Sequence, residues 1–242
     1  MALSLPGPPL RRPAFTMLLA LAMGAASVVA FIIGTLAPFL IDDLGLSRAS
    51  LGLLATGTIA LAAVLSPLAG HLVDRLGGRP MLALIFAVTA AGLGGMALAG
   101  TYAWLLAAAT VAGVAAALGN PATNQLVSSH MPRGVQATVI GIKQSGVQAA
   151  AFFSGLLLPT LATALGWRRA LAVSALPSVL GLAATYLIVP GAGRAQAPPP
   201  APEPSVAGAG GPGVAVLTLY GALMGFAVSS VGAYTVLYGV EE

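Results

Sequence analysis

Long apolar stretches interrupted by brief polar ones run through this 242-residue chain. The runs Ala49 to Val73 and Pro80 to Gly100 contain no Asp, Glu, Lys or Arg. Each is long enough to cross a hydrocarbon core of ~30 Å as helix. The same pattern places spans at Thr16 to Leu40, Ala49 to Val73, Pro80 to Gly100, Tyr102 to Ser128, Gln136 to Leu165, Ala170 to Pro190 and Val214 to Val240. The charge-free stretch from Pro80 to Pro132 is too long for one crossing, so it divides at Gly100-Thr101-Tyr102 in a short external turn. Arg11 and Arg12 precede the first span as they would a signal peptide. A signal's apolar core covers only ~7–15 residues, however, and this run is expected to stay as an uncleaved helix.

Composition agrees with the pattern. Only 7% of residues are charged, against about 25% in a soluble domain, which points to an all-α polytopic membrane protein with the lipid bilayer as its first partner. The chain has no cysteine, so disulfides and thiolate metal sites are excluded. His71 and His130 have no ligand-spaced companions, and neither a metal nor a cofactor is expected. An intramembrane enzyme would need a nucleophile with a base inside the spans, and the pattern offers none. The excess of basic over acidic residues sits at span ends rather than in a patch, so nucleic acid is not an expected partner. Lys and Arg in short loops stay on the cytoplasmic side. An inward N-terminus puts Arg11, Arg12, Arg75, Arg79, Arg133 and Arg194 there and leaves Arg48, Arg168 and Arg169 outside, which favours a multi-pass protein of the cell (inner) membrane with a cytoplasmic N-terminus.

The most informative polar interruption is Gly70-His71-Leu72-Val73-Asp74-Arg75-Leu76-Gly77-Gly78-Arg79-Pro80. So short a link makes the flanking spans a tight antiparallel hairpin. Gly70 is expected to let another helix approach closely, and Gly77 to take the positive φ of a tight turn. Asp74 can accept backbone hydrogen bonds or pair with Arg75 or Arg79, and both arginines can meet lipid phosphates. The pattern Gly-x-x-x-Asp-Arg-x-Gly-x-Arg resembles the loop between the second and third helices of major facilitator superfamily transporters. Pro80 stands where that pattern has a second basic residue. The resemblance implies a conformational-switch loop of Gly70, Asp74, Arg75, Gly77 and Arg79, whose acidic residue docks on a helix of a second half and favours one state of an alternating-access cycle.

About half of residues 191–213 are Gly or Pro, including Pro198-Pro199-Pro200. This segment reads as a linker without a packed core. The organisation expected is a cytoplasmic tail over 1–15, a six-span transporter bundle over 16–190, a cytoplasmic linker over 191–213 and a seventh helix over 214–242 that opens an incomplete second half. A twelve-span carrier needs five more spans, so the chain reads as truncated. A missing C-terminal half or a second membrane chain is an implied partner. The function implied is secondary transport of a small solute, an anion among the options, by the complete protein. The competing expectation is a transport-inactive membrane protein or a scaffold that pairs helices.

Lys143 is the single lysine and lies about seven residues inside the fifth span. A cation at such depth costs ~2.5–3.5 kcal/mol at the membrane centre, so it faces a cavity or snorkels back to the interface. Gln144 and Ser145 lie within the next turn, and Gln148 continues the Gln144 face at i+4. The fourth span carries Asn120 and Asn124 on one face around Pro121, which is expected to open the helix locally. Lys143, Gln144, Gln148, Asn120 and Asn124 are therefore the candidates for a polar solute pathway. The asparagines have a second reading as interhelical hydrogen-bond partners. No Asp or Glu falls within a span, so no buried carboxylate relay for protons is visible. The fifth span also lacks the Gly-Pro-x-x-Gly-Gly run seen in the superfamily's drug antiporters. Small residues at four-residue spacing, such as Ala109, Gly113 and Ala117, are expected to serve ordinary bundle packing.

Overall fold

A computed structural model describes residues 11–189 and the four positions 216, 219, 220 and 223. The described chain is helical, with six helices long and apolar enough to cross a membrane. The expected linker at 191–213 lies outside the described residues, as does the seventh span at 214–242 apart from those four helical positions. The chain divides into two compact units, residues 1–195 and 196–242. All six spanning helices belong to the first unit.

Within residues 11–189 the helices are α1 Arg11–Thr35, α2 Ala37–Leu44, α3 Arg48–Leu76, α4 Gly78–Ala97, α5 Tyr102–His130, α6 Arg133–Leu165, α7 Trp167–Ser174 and α8 Leu176–Ile188; α7 and α8 together make the sixth span, and the short α2 follows the first. A proline divides the sixth span, and another opens the short helix after the first. Pro38 enters the first turn of α2 and Pro177 that of α8, where the missing N–H removes no intrahelical bond. Pro67, Pro121 and Pro159 sit inside helices that continue through them. The opening expected at Pro121 is therefore not present: α5 stays helical from Tyr102 to His130 because neighbouring helices hold it on either side.

Helix ends follow local chemistry. Ser47 caps α3 by accepting from the Ser50 amide at 3.1 Å, and Thr101 caps α5 by accepting from the Trp104 amide at 3.4 Å. Gly77 separates α3 from α4 as a single residue with φ +84°, a conformation that needs no Cβ, and its N–H closes on the Val73 carbonyl at 2.9 Å. Gly166 does the same between α6 and α7.

The principal pairings are α1 with α6, α3 with α5, and α4 with both α5 and α8. Small residues set the closest of these. A Cβ on Gly113 would strike the backbone of Thr58 on α3, and one on Gly146 would strike the backbone of Ala20 on α1. The Thr58 hydroxyl donates to the Ala109 carbonyl at 3.0 Å, and Thr89 donates to Ala25 at 3.1 Å. In lipid, where apolar surface gains nothing by leaving water, such packing and hydrogen bonds hold the helices together. The apolar core forms two clusters, one around Leu19, Phe86 and Leu126 and another around Ile32, Leu93 and Leu171.

Candidate functional site

α6 brings Lys143 to a position only 1% exposed, ten residues from the helix start. Its Nζ donates to Thr123 Oγ1 at 2.8 Å and to Asn120 Oδ1 at 3.4 Å, both on α5. The side chain thus turns into the bundle. The snorkelling alternative is not what the structure adopts, because two oxygens on α5 meet the ammonium at depth. Thr123 is itself fully buried and donates its one hydroxyl proton to the Gly119 carbonyl at 2.6 Å, leaving its lone pairs for the lysine.

Every partner of this cation is neutral. Among the described residues the one salt bridge joins Arg168 and Asp43 at the far end of the bundle, and no carboxylate lies near Lys143. Asn120 is exposed and helps line a cavity of about 350 Å³ among α1, α3, α5 and α6, to which Ser27, Phe31, Thr58 and Val147 also contribute. Thr58 is already bonded within the protein, which leaves Asn120 as the main polar contact available there, with Lys143 behind it.

The remaining pathway candidates are exposed. Gln144 and Gln148 share the accessible face of α6, and Asn124 is accessible on α5. Among the described residues none of these three hydrogen-bonds to Lys143, so the structure joins Lys143 with Asn120 and leaves the other three on the surface of this unit. Thr123 is the member that sequence reasoning missed. A threonine in an apolar span has no distinguishing local signal, and only the pairing of helix faces shows its contact with the lysine.

The loop between α3 and α4 shows the expected turn at Gly77. Asp74 and Arg75 are exposed there, and among the described residues Asp74 has no side-chain partner. Arg79 turns to the sixth span, donating to the Tyr186 carbonyl at 3.1 Å with its guanidinium 5.2 Å from the Tyr186 ring. Gln125 on α5 donates to the Val73 carbonyl at 3.0 Å and ties the end of α3 from the other side. The close approach expected at Gly70 is not made by any described residue, since a Cβ there would meet nothing within 4 Å. At the opposite end, Asp43 accepts from Trp167 Nε1 at 3.1 Å and from Arg168 at 2.6 Å, and Arg168 also donates to the Ala99 carbonyl at 3.1 Å. The Arg168 hydrogen bond, followed by that of Trp167, holds the Asp43 carboxyl below the usual carboxylate range.

Six apolar spans enclosing a deep cation and a polar-edged cavity define a multi-pass helical membrane protein. The family model of the Major Facilitator Superfamily matches residues 19–242, and the chain belongs to that superfamily, a family of transporters of small solutes rather than of enzymes. A hexuronate transporter of Bacillus subtilis (strain 168) is 30% identical over 132 residues, covering 54% of this chain and 31% of that protein. Among solved structures, a bacterial homologue of the human lysosomal transporter Spinster, inward-facing and occupied, aligns with TM-score 0.66 at 22% identity, over 76% of this chain and 45% of the other. The inward-open xylose transporter XylE from E. coli aligns with TM-score 0.61 at 17% identity, over 75% of this chain and 48% of the other. These two likenesses establish the fold. The chain spans less than half the length of each of these three relatives.

Proposed function

We propose that this chain contributes the N-terminal bundle of a secondary carrier for a small organic anion, working by alternating access between two halves. The observation that carries the proposal is Lys143, a cation held at depth by neutral oxygens alone. Such a charge gains most when an anion arrives, and the carboxylate of a solute is the simplest counterion. Asn120 borders the adjoining cavity with an amide able to bond hydroxyls, while Gln144, Gln148 and Asn124 offer further amides on accessible faces. The hexuronate relative transports an acid that is also a polyol, which fits an ammonium flanked by amides. A cytoplasmic N-terminus in the inner membrane, supported by the distribution of arginines, puts the Gly77 loop on the cytoplasmic side. There Asp74 would meet a second half, whether carried on the same polypeptide or on another.

The test is uptake of radiolabelled glucuronate and of neutral xylose by membrane vesicles containing the native product. Glucuronate should be taken up and xylose not, and Lys143→Ala should raise KM at least tenfold while Lys143→Arg retains part of the affinity. Glucuronate uptake with unchanged KM in Lys143→Ala would remove the lysine from this role. No uptake of any organic anion would favour the transport-inactive reading.

A further inference from the structure

A second and larger cavity lies on another face of the bundle. It occupies about 550 Å³ among α1, α6, α7 and α8, bounded by apolar side chains such as Leu21, Phe153, Leu157 and Val173. Its floor is the crossing where Gly24 and Gly146 let α1 and α6 touch. Phe153 and Leu157 are about half exposed, so the cavity opens sideways between helices. Its size and its mainly apolar lining with a few polar groups are those of a small-molecule site.

The polar groups decide what it would hold. Eight polar or charged residues are buried among those described: Thr16, Thr58, Thr89, Thr123, Lys143, Ser154, Ser178 and Thr185. Six of them hydrogen-bond through their side chains to protein atoms. Ser154 and Ser178, only 5% and 3% exposed, are the two whose hydroxyls have no protein partner among the described residues, and both line this one cavity. The sealed side-chain atoms without a partner among the described residues are Arg79 Nε and Gln125 Oε1, so the two serine hydroxyls open onto the cavity, whereas helix serines usually bond the preceding turn. Here two such groups from different spans border the same space.

We propose that this groove is a binding site for an amphiphile dissolved in the bilayer, with an apolar body and one hydroxyl or carbonyl group held by Ser154 and Ser178. Depth selects against an ordinary phospholipid. Ser178 lies at the middle of the Trp167–Ile188 span, whereas phospholipid ester groups lie near the membrane surface, ~15 Å away for a ~30 Å core. An acyl chain could fill the groove but would leave both serines unpaired. The occupant would sit against the α1–α6 crossing, on a different face from the cavity beside Lys143, so the site is independent of the solute pathway.

The experiment uses the full chain in phosphatidylcholine nanodiscs and a diazirine-bearing aliphatic alcohol whose hydroxyl lies mid-chain, with the matching diazirine alkane as control. Photolabelling by the alcohol should saturate, map by peptide mass spectrometry to 150–158 and 173–178, and be displaced by unlabelled alcohol but not by alkane. Ser154→Ala and Ser178→Ala should each weaken apparent affinity about fivefold, as loss of one hydrogen bond implies. The double variant should be as thermally stable as the parent or more so, since it removes two unpaired hydroxyls. Equal saturable labelling by the alkane, cross-linking to a second copy of the chain in place of the probe, or unchanged affinity in the double variant would overturn the proposal. A fall in the double variant's stability would also overturn it, by showing that the serines already have partners in the protein.

Discussion

Replacing Lys143 with Met should leave the six-span unit as stable as before or slightly more so while removing anion binding. A lysine at the centre of a membrane costs about 2.5–3.5 kcal/mol. Against this stand a hydrogen bond of 2.8 Å from the ammonium to Thr123, of the kind worth about 1.5–3 kcal/mol, and a longer and weaker one of 3.4 Å to Asn120. The terms nearly cancel and leave a deficit of about 0–1 kcal/mol. Methionine fills similar space, and its loss of the ammonium strands no donor, because the Thr123 proton already has the Gly119 carbonyl and Asn120 is exposed. A gain of 0–1 kcal/mol corresponds to roughly 0–4 °C in Tm for a unit of this size. The assay is the fraction of monodisperse protein left after heating in mild detergent, read by size exclusion, with glucuronate binding followed in parallel. A fall in Tm beyond about 4 °C, or preserved binding, would refute the reasoning and make Lys143 a structural brace between α5 and α6.

Thr123→Val keeps the shape but takes away the lysine's nearer acceptor, so anion affinity should drop about tenfold while Thr123→Ser retains most of it; equilibrium binding at fixed salt separates the two. Gly113→Val forces a branched side chain against the Thr58 backbone and should cost about 1–3 kcal/mol, seen as a lower Tm, whereas Gly70→Ala, which meets no described atom, should change Tm little. The Asp43 carboxyl has its folded pKa lowered, so its contribution to stability is present above the ordinary value of 3.8 and disappears as pH falls through the still lower folded value. Trp167 fluorescence should accordingly stay constant from pH 7 to about 5 and change only in stronger acid, and Asp43→Asn should remove that transition.

The six spans up to residue 190 were legible because charge is so scarce that its absence marks each crossing, and their ends fell where Ser47, Thr101, Gly77 and Gly166 supply caps or turns. Lys143 was legible for the same reason. Its partners were not, since Thr123 and Lys143 meet only because α5 and α6 present particular faces to each other, and nothing local in either helix records that choice. Gly70 and Gly113 look equivalent as small residues in apolar helices. One faces open space among the described residues and the other is pressed against Thr58, a difference made by neighbours far along the chain. The contact between Asp43 and Trp167 joins residues 124 positions apart, beyond the reach of any spacing rule. Pro121 misled expectation in the opposite way, because a helix supported on both sides tolerates a missing donor.

The junction at Gly77 leaves the second and third spans without slack. α3 ends at Leu76 and α4 begins at Gly78, so one pair of dihedral angles carries the whole reversal of direction. Two rods coupled through one joint cannot slide independently: a tilt of one must appear in the other as rotation about that joint. With Arg79 fastened to Tyr186 on one side and Gln125 to Val73 on the other, the joint behaves as a stiff corner bracket. Force applied at Asp74 would therefore be felt along the full length of both rods, down to the Gly113 crossing that bears on α3.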